Sequence, residues 1–141
     1  MDSERNILKL LEEKSSIKQK VYKITKEGDH NIKKELFHLF EEEEGFPDGV
    51  TVDEDGSIWI AHWGSGLISK QSPDGKILNR INLPSKNLTS LCFGGDHYND
   101  LIVTSATDGM TEKDWNYFPE SGKTFVIKTE EHGIEENYFI T

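Results

Sequence analysis

The stretch FPDGVTVDEDGSIWIAHWGSG, residues 46–66, decides how the chain is read. Val50-Thr51-Val52 is a short β-branched run, and Asp53-Glu54-Asp55-Gly56 closes it with turn chemistry. Ser57 to Trp63, SIWIAHW, partly alternates between apolar and polar residues and is the clearest strand signal in the chain. Gly64-Ser65-Gly66 then turns the chain again. The segment reads as strand, tight turn, strand, turn.

Downstream the plan continues. Leu67 to Gln71 is a third strand, Ser72-Pro73-Asp74-Gly75 signals a hairpin, and Ile77 to Leu83 alternates as a fourth strand before Pro84. The pattern then restarts. Asn87 to Phe93, Asp100 to Ser105, Lys123 to Thr129 and Asn137 to Thr141 read as strands, with an irregular insertion over 106–122. Residues 56–61 match residues 99–104 at an offset of 43, and Val50 and Thr89 start equivalent strands at an offset of 39. A four-stranded unit repeating every ~40 residues predicts β-propeller blades.

Upstream, Ile17–Thr25 and Lys33–Phe40 form a hairpin about residues 27–31, the outer hairpin of a preceding blade. Glu41 to Glu44 reads as a solvated loop. Residues 3–14 are ambiguous. Ile7, Leu8, Leu10 and Leu11 have helical spacing after Ser3, yet Asn6 to Glu12 falls where that blade's second strand belongs. The fold class is therefore all-β, a partial propeller over 17–141, behind an N-terminal segment, 1–16, that is a helix or a remnant strand.

The net charge of −10 leaves no basic surface for a nucleic-acid backbone or an anionic membrane. Residues 46–141 carry fifteen acidic and seven basic groups, so most of the excess lies in the blades. No apolar run reaches the ~18 residues of a membrane span, and the N-terminus lacks the pattern of a secretory signal. The one cysteine, Cys92, excludes an internal disulfide and fits a cytoplasmic setting. It lies between Leu91 and Phe93 and reads as a buried structural thiol.

Common motifs fail on inspection. A calcium loop starting at Asp53 would need Gly at its sixth and Glu at its twelfth place, which hold Ile58 and Gly64. Trp59, Ile58 and Ile60 read as core between blades. His62 and Trp63 stand at a strand end beside glycines, where they can reach a pocket. Asp48 has two readings. Pro47 fixes the backbone before it and Gly49 frees it after, so its carboxylate can be held at a strand entrance. The same residue can also simply cap the strand through an Asx-turn.

Taken together, Phe46-Pro-Asp-Gly-Val50, residues 52–61, Trp63-Gly64, residues 73–76, Leu88-Thr-Ser90, Cys92-Phe-Gly-Gly95, Leu101-Ile-Val-Thr104, Asp108-Gly109-Met110 and residues 122–125 resemble the senescence marker protein/gluconolactonase/regucalcin family over about residues 17–141. The resemblance implies a six-bladed propeller that hydrolyses sugar lactones or similar small cyclic esters with one divalent cation, Ca²⁺, Zn²⁺, Mn²⁺ or Mg²⁺. Its ligands are a Glu near the start of the chain, an Asn in a Ser-Asn-Gly motif and the Asp of Pro-Asp-Gly. Only the last has a counterpart here, Asp48, which the resemblance makes both metal ligand and catalytic residue. Thr89 and Ser90 open the next inner strand and are supporting candidates, with His62 and Trp63, for the substrate pocket. The chain holds about two and a half of six blades, so the isolated chain is expected to be incomplete and inactive as a lactonase, and a second chain supplying the rest is an expected partner. The alternatives are a non-catalytic calcium-binding or interaction module and a degenerate fragment without activity.

Overall fold

A computed structural model describes residues 7–10 and 19–138. Ten strands form three antiparallel sheets among these residues. The first sheet contains β1 (Ile7–Leu10), β2 (Gln19–Glu27) and β3 (Asn31–Phe40). The second contains β4 (Phe46–Val52), β5 (Ile58–Trp63), β6 (Leu67–Gln71) and β7 (Ile77–Asn82), paired in chain order. The third contains β8 (Asn87–Gly94), β9 (Asp100–Ala106) and β10 (Phe125–Lys128). This is a partial β-propeller, with one complete four-stranded blade between two three-stranded ones.

The central blade explains why SIWIAHW alternates poorly. Both of its faces are covered, so every residue from Ser57 to His62 is buried. Ile58 and Ile60 pack toward the first sheet, with Val21 and Phe40. Trp59 and Ala61 pack toward the third, with Ile68, Leu88, Leu91, Leu101 and Val103. Period-2 geometry divides one strand between two cores. At the rim, β3 is locked to the β6–β7 hairpin. His38 Nδ1 donates to the Gly75 carbonyl at 2.9 Å. A Cβ at Gly75 would lie 2.3 Å from the Phe37 carbonyl oxygen, so only glycine fits there.

Several sequence expectations need correction. Of the two readings left open for the N-terminal segment, the strand holds at Ile7–Leu10, which pairs with β2, so tertiary pairing overrides the helical spacing there; residues 1–6 and 11–18 lie outside those described. Glu41–Glu44 is not simply a solvated loop. Glu42–Glu44 is a 3₁₀ turn whose Glu44 takes two hydrogen bonds from Arg80, at 2.9 and 3.1 Å. The insertion over 106–122 contains a short helix, α1 (Glu112–Tyr117), capped by Thr111 and held by a 2.7 Å ion pair between Lys86 and Asp114. Asn137 and Tyr138 are not strand; residues 139–141 lie outside those described. After β10 the chain is drawn sideways instead. Gly133 bridges Asp53, and the Glu54 amide donates to the His132 carbonyl at 2.8 Å.

Cys92 is exposed rather than buried. Leu91 is buried against the central blade and Phe93 packs on that core, so alternation turns the thiol to the opposite, uncovered face of β8.

Candidate functional site

Asp48 sits in a β-bulge. Pro47 pairs with His62 and Val50 with Ile60, so β4 spends one residue more than β5 between these pairs. β8 does the same where Leu88 pairs with Ser105 and Ser90 with Thr104. These registers place Leu91, not Thr89, opposite Val103 as Val50 lies opposite Ile60. The repeat of this inner strand is thus 41 residues, from Val50 to Leu91, and not 39. The error of two keeps each side chain on its face, and the corrected register makes Thr89 the counterpart of Asp48 in the next blade.

Gly49 brings the two bulges together. A Cβ there would lie 2.5 Å from Ser90 Cα, 2.7 Å from the Thr89 carbonyl oxygen and 2.9 Å from Ser90 Oγ. Its missing side chain lets β4 and β8 approach closely. Thr89 Oγ1 shares a 2.7 Å hydrogen bond with Thr104 Oγ1, which steadies the β8 bulge. Asp48 is exposed at this junction, yet partial desolvation by the surrounding protein raises its carboxyl above the ordinary carboxylate range. The entrance to β4 is braced as well. Ser65 Oγ donates to the Glu44 carbonyl at 2.7 Å, and a Cβ at Gly45 would meet the Trp63 carbonyl oxygen at 2.4 Å. Glu44 feels opposing effects: burial raises its carboxyl, but the Glu41 amide and Arg80 outweigh that and hold it below the usual value.

His62 is placed differently. It is fully buried, and its Nε2 lies 2.7 Å from Ser69 Oγ. Its ring meets Phe40 edge-on at 4.6 Å, on the side of the central blade facing the first sheet. Burial lowers its imidazole to about 4, with the nearby Glu44 acting in the opposite sense. His62 is thus a neutral core histidine, enclosed between blades. Trp63 is half-buried at the end of β5, paired with Phe46. The structure brings Asp48 to Thr89 and Ser90, and keeps His62 apart.

The residue that sequence reasoning missed is Asp53. Its sequence context is that of an ordinary β-turn, and the structure buries it fully. Its Oδ1 accepts from the Ser57 and Asp55 amides at 2.9 and 3.1 Å, and its Oδ2 from Trp59 Nε1 at 2.9 Å. Lys70 Nζ lies 3.8 Å from the same Oδ2, 5.2 Å from the Trp59 ring centre and 2.7 Å from Glu131. The signal was present as Asp53 and Trp59 six residues apart across a tight turn, with the indole donating to one carboxylate oxygen while the Ser57 backbone amide donates to the other. Asp53 stands at the far end of β4 from Asp48 and serves the blade's architecture.

The family model described as SMP-30/Gluconolactonase/LRE-like region matches residues 14–107, a span that includes Asp48, Thr89 and Ser90. The chain belongs to this family. Regucalcin of Danio rerio is 41% identical over 91 residues, covering 64% of this chain and 31% of the relative. Regucalcin of Xenopus laevis is 38% identical over 104 residues, covering 72% of this chain and 34% of the relative. The chain therefore spans about a third of the length of these family members. Among solved structures, the calcium-binding protein regucalcin of Agrobacterium tumefaciens superposes with a TM-score of 0.76 at 25% identity, covering 89% of this chain and 46% of that one.

Whether the residues present fit a divalent cation can be judged from the donors. Asp48 supplies one carboxylate. Among the described residues no group of three or more His, Cys, Asp or Glu side chains could hold a metal ion. A hard cation takes six or more oxygen ligands, so these residues do not by themselves fit one. No helix among the described residues is long and apolar enough to cross a membrane.

Proposed function

We propose that the chain carries the Asp48 part of a sugar-lactone hydrolase site. The supporting observation is Asp48 itself, held in a bulge beside the next inner strand, with its carboxyl raised by desolvation. Membership of a family named for gluconolactonase points the same way. A carboxylate with a raised pKa is, in its ionised form, a better proton acceptor. In the proposed reaction Asp48 takes a proton from water as the water oxygen attacks the lactone carbonyl carbon. The tetrahedral intermediate expels the ring oxygen, which recovers that proton from Asp48, and the product is the open hydroxy acid. Thr89 and Ser90 line the neighbouring bulge as candidates to orient the substrate hydroxyls. A divalent cation remains part of the family reading, with Asp48 as one of its oxygen ligands, and a cytoplasmic setting accompanies it.

The test is hydrolysis of gluconolactone by the purified chain, followed by acid release, with and without Ca²⁺, Zn²⁺, Mn²⁺ or Mg²⁺. We expect a rate above background where further blades complete the site, and a fall of at least tenfold in Asp48→Asn. Equal rates in the two proteins would exclude the assignment. Because the working form is ionised, activity should fade as pH drops through the raised Asp48 pKa. A second reading, non-catalytic cation binding, takes support from the calcium-binding relative. Calorimetry showing Asp48-dependent binding without hydrolysis would favour it.

A further inference from the structure

The two outer blades each present a sheet face that none of the described residues covers. In the first sheet, Val21 and Phe40 point to the central blade. The cross-strand pairs Tyr22–Leu36, Ile24–Lys34 and Lys26–Ile32 lie on the opposite face. There Leu36 is 56% and Ile32 72% exposed, and Lys34 Nζ sits 3.9 Å from the Tyr22 ring centre. In the third sheet, Leu91, Val103 and Ile127 point inward. Cys92, Ile102 and Val126 form one cross-strand row on the other face, with Val126 61% exposed. Faces of this kind are covered by the neighbouring blade wherever a propeller is closed.

We propose that a second copy of this chain covers both, the first sheet of each copy packing on the third sheet of the other to close a two-chain ring. Three observations select this occupant. The chain matches 46% of the length of the Agrobacterium regucalcin structure, so two copies supply about one full ring. Three consecutive blades that match 46% of that structure turn the chain through about half of a closed ring, and a twofold rotation then closes both contacts at once. The charges are complementary. Residues 19–40 hold five lysines against three acids, whereas residues 87–138 hold ten acids against three lysines. Most of these acids lie in the loops around the third sheet, whose strands hold only the Asp100–Lys128 ion pair, so the basic first sheet is attracted to the acidic segment that carries the third. Covering the apolar rows removes them from water, which gives the association its driving force.

This inference does not rest on the proposed activity. The experiment is light scattering coupled to size exclusion, with sedimentation equilibrium, on the full chain from about 1 to about 100 μM. The expected result is one species of twice the 16.1 kDa chain mass. A monomer throughout, or open assemblies that keep growing with concentration, would overturn it. The double variant Lys26→Glu, Lys34→Glu should weaken the dimer at least tenfold while keeping its circular dichroism, and so should Val126→Glu. A dimer indifferent to both changes lies elsewhere and refutes the geometry. Cys92 gives an independent readout: its alkylation should be slow in the dimer and fast in the charge-reversed variant. Equal rates would count against a covered third sheet. Asp48→Asn should dimerise normally, so a dimer without lactone hydrolysis removes only the catalytic reading, and hydrolysis by a monomer removes only the ring.

Discussion

Acid should loosen this protein through a single imidazole before its carboxylates respond. His62 is enclosed between β5, Phe40 and Ser69, and burial lowers its folded pKa to about 4 from an ordinary 6.5. Ser69 Oγ already accepts from Gln71 Nε2 at 2.7 Å, so its own hydrogen is available to the neutral His62 Nε2. An imidazolium would need that oxygen to accept a second donor and would place a charge in the core. Between pH 6.5 and 4 the unfolded chain binds a proton at this site that the folded chain refuses. Stability therefore falls as pH falls, by about 1.4 kcal/mol per pH unit and about 3 kcal/mol across the window. The assay is urea unfolding followed by tryptophan fluorescence at pH 7.0, 6.0, 5.0 and 4.5, at one fixed chain concentration. The comparison is His62→Gln, which cannot titrate and can still bond to Ser69. The wild type should lose stability steeply over this range and the variant should stay nearly level. Parallel curves would refute the assignment, because the proton would then be binding elsewhere.

Asp53→Ala should cost about 3 kcal/mol or more, since it strands buried donors on Ser57 and Trp59, and urea midpoints would measure it. A loss below about 1 kcal/mol would mean that the network is replaceable by water. Gly49→Ala should cost about 1–3 kcal/mol by prying β4 from the backbone of Thr89 and Ser90, and it should lower any lactone hydrolysis together with stability. An unchanged melting temperature would show that the bulges tolerate separation.

Much of the chain was legible because its strands are short and punctuated. The Asp-Gly turns separate the strands, and β6 runs from Leu67 to Gln71 as the residues alone indicate. The propeller repeat was also readable, because residues 99–104 copy residues 56–61 in type and order. Its inner-strand register was not. A bulge adds a residue without changing composition, so Thr89 was aligned with Val50 although pairing matches it to Asp48.

The amino-acid sequence by itself determined the strand order, the acidic balance and the candidacy of Asp48, because turns and Pro-Asp-Gly geometry are local. Only the tertiary structure decided what each polar residue does. His62 and Asp53 both lie in the motif-bearing stretch, yet one is a neutral core histidine and the other a buried carboxylate shared by a turn, an indole and a lysine. Cys92, flanked by apolar neighbours, faces outward. Burial depends on which blade covers a face, and that is set by residues tens of positions away, beyond the reach of any local pattern.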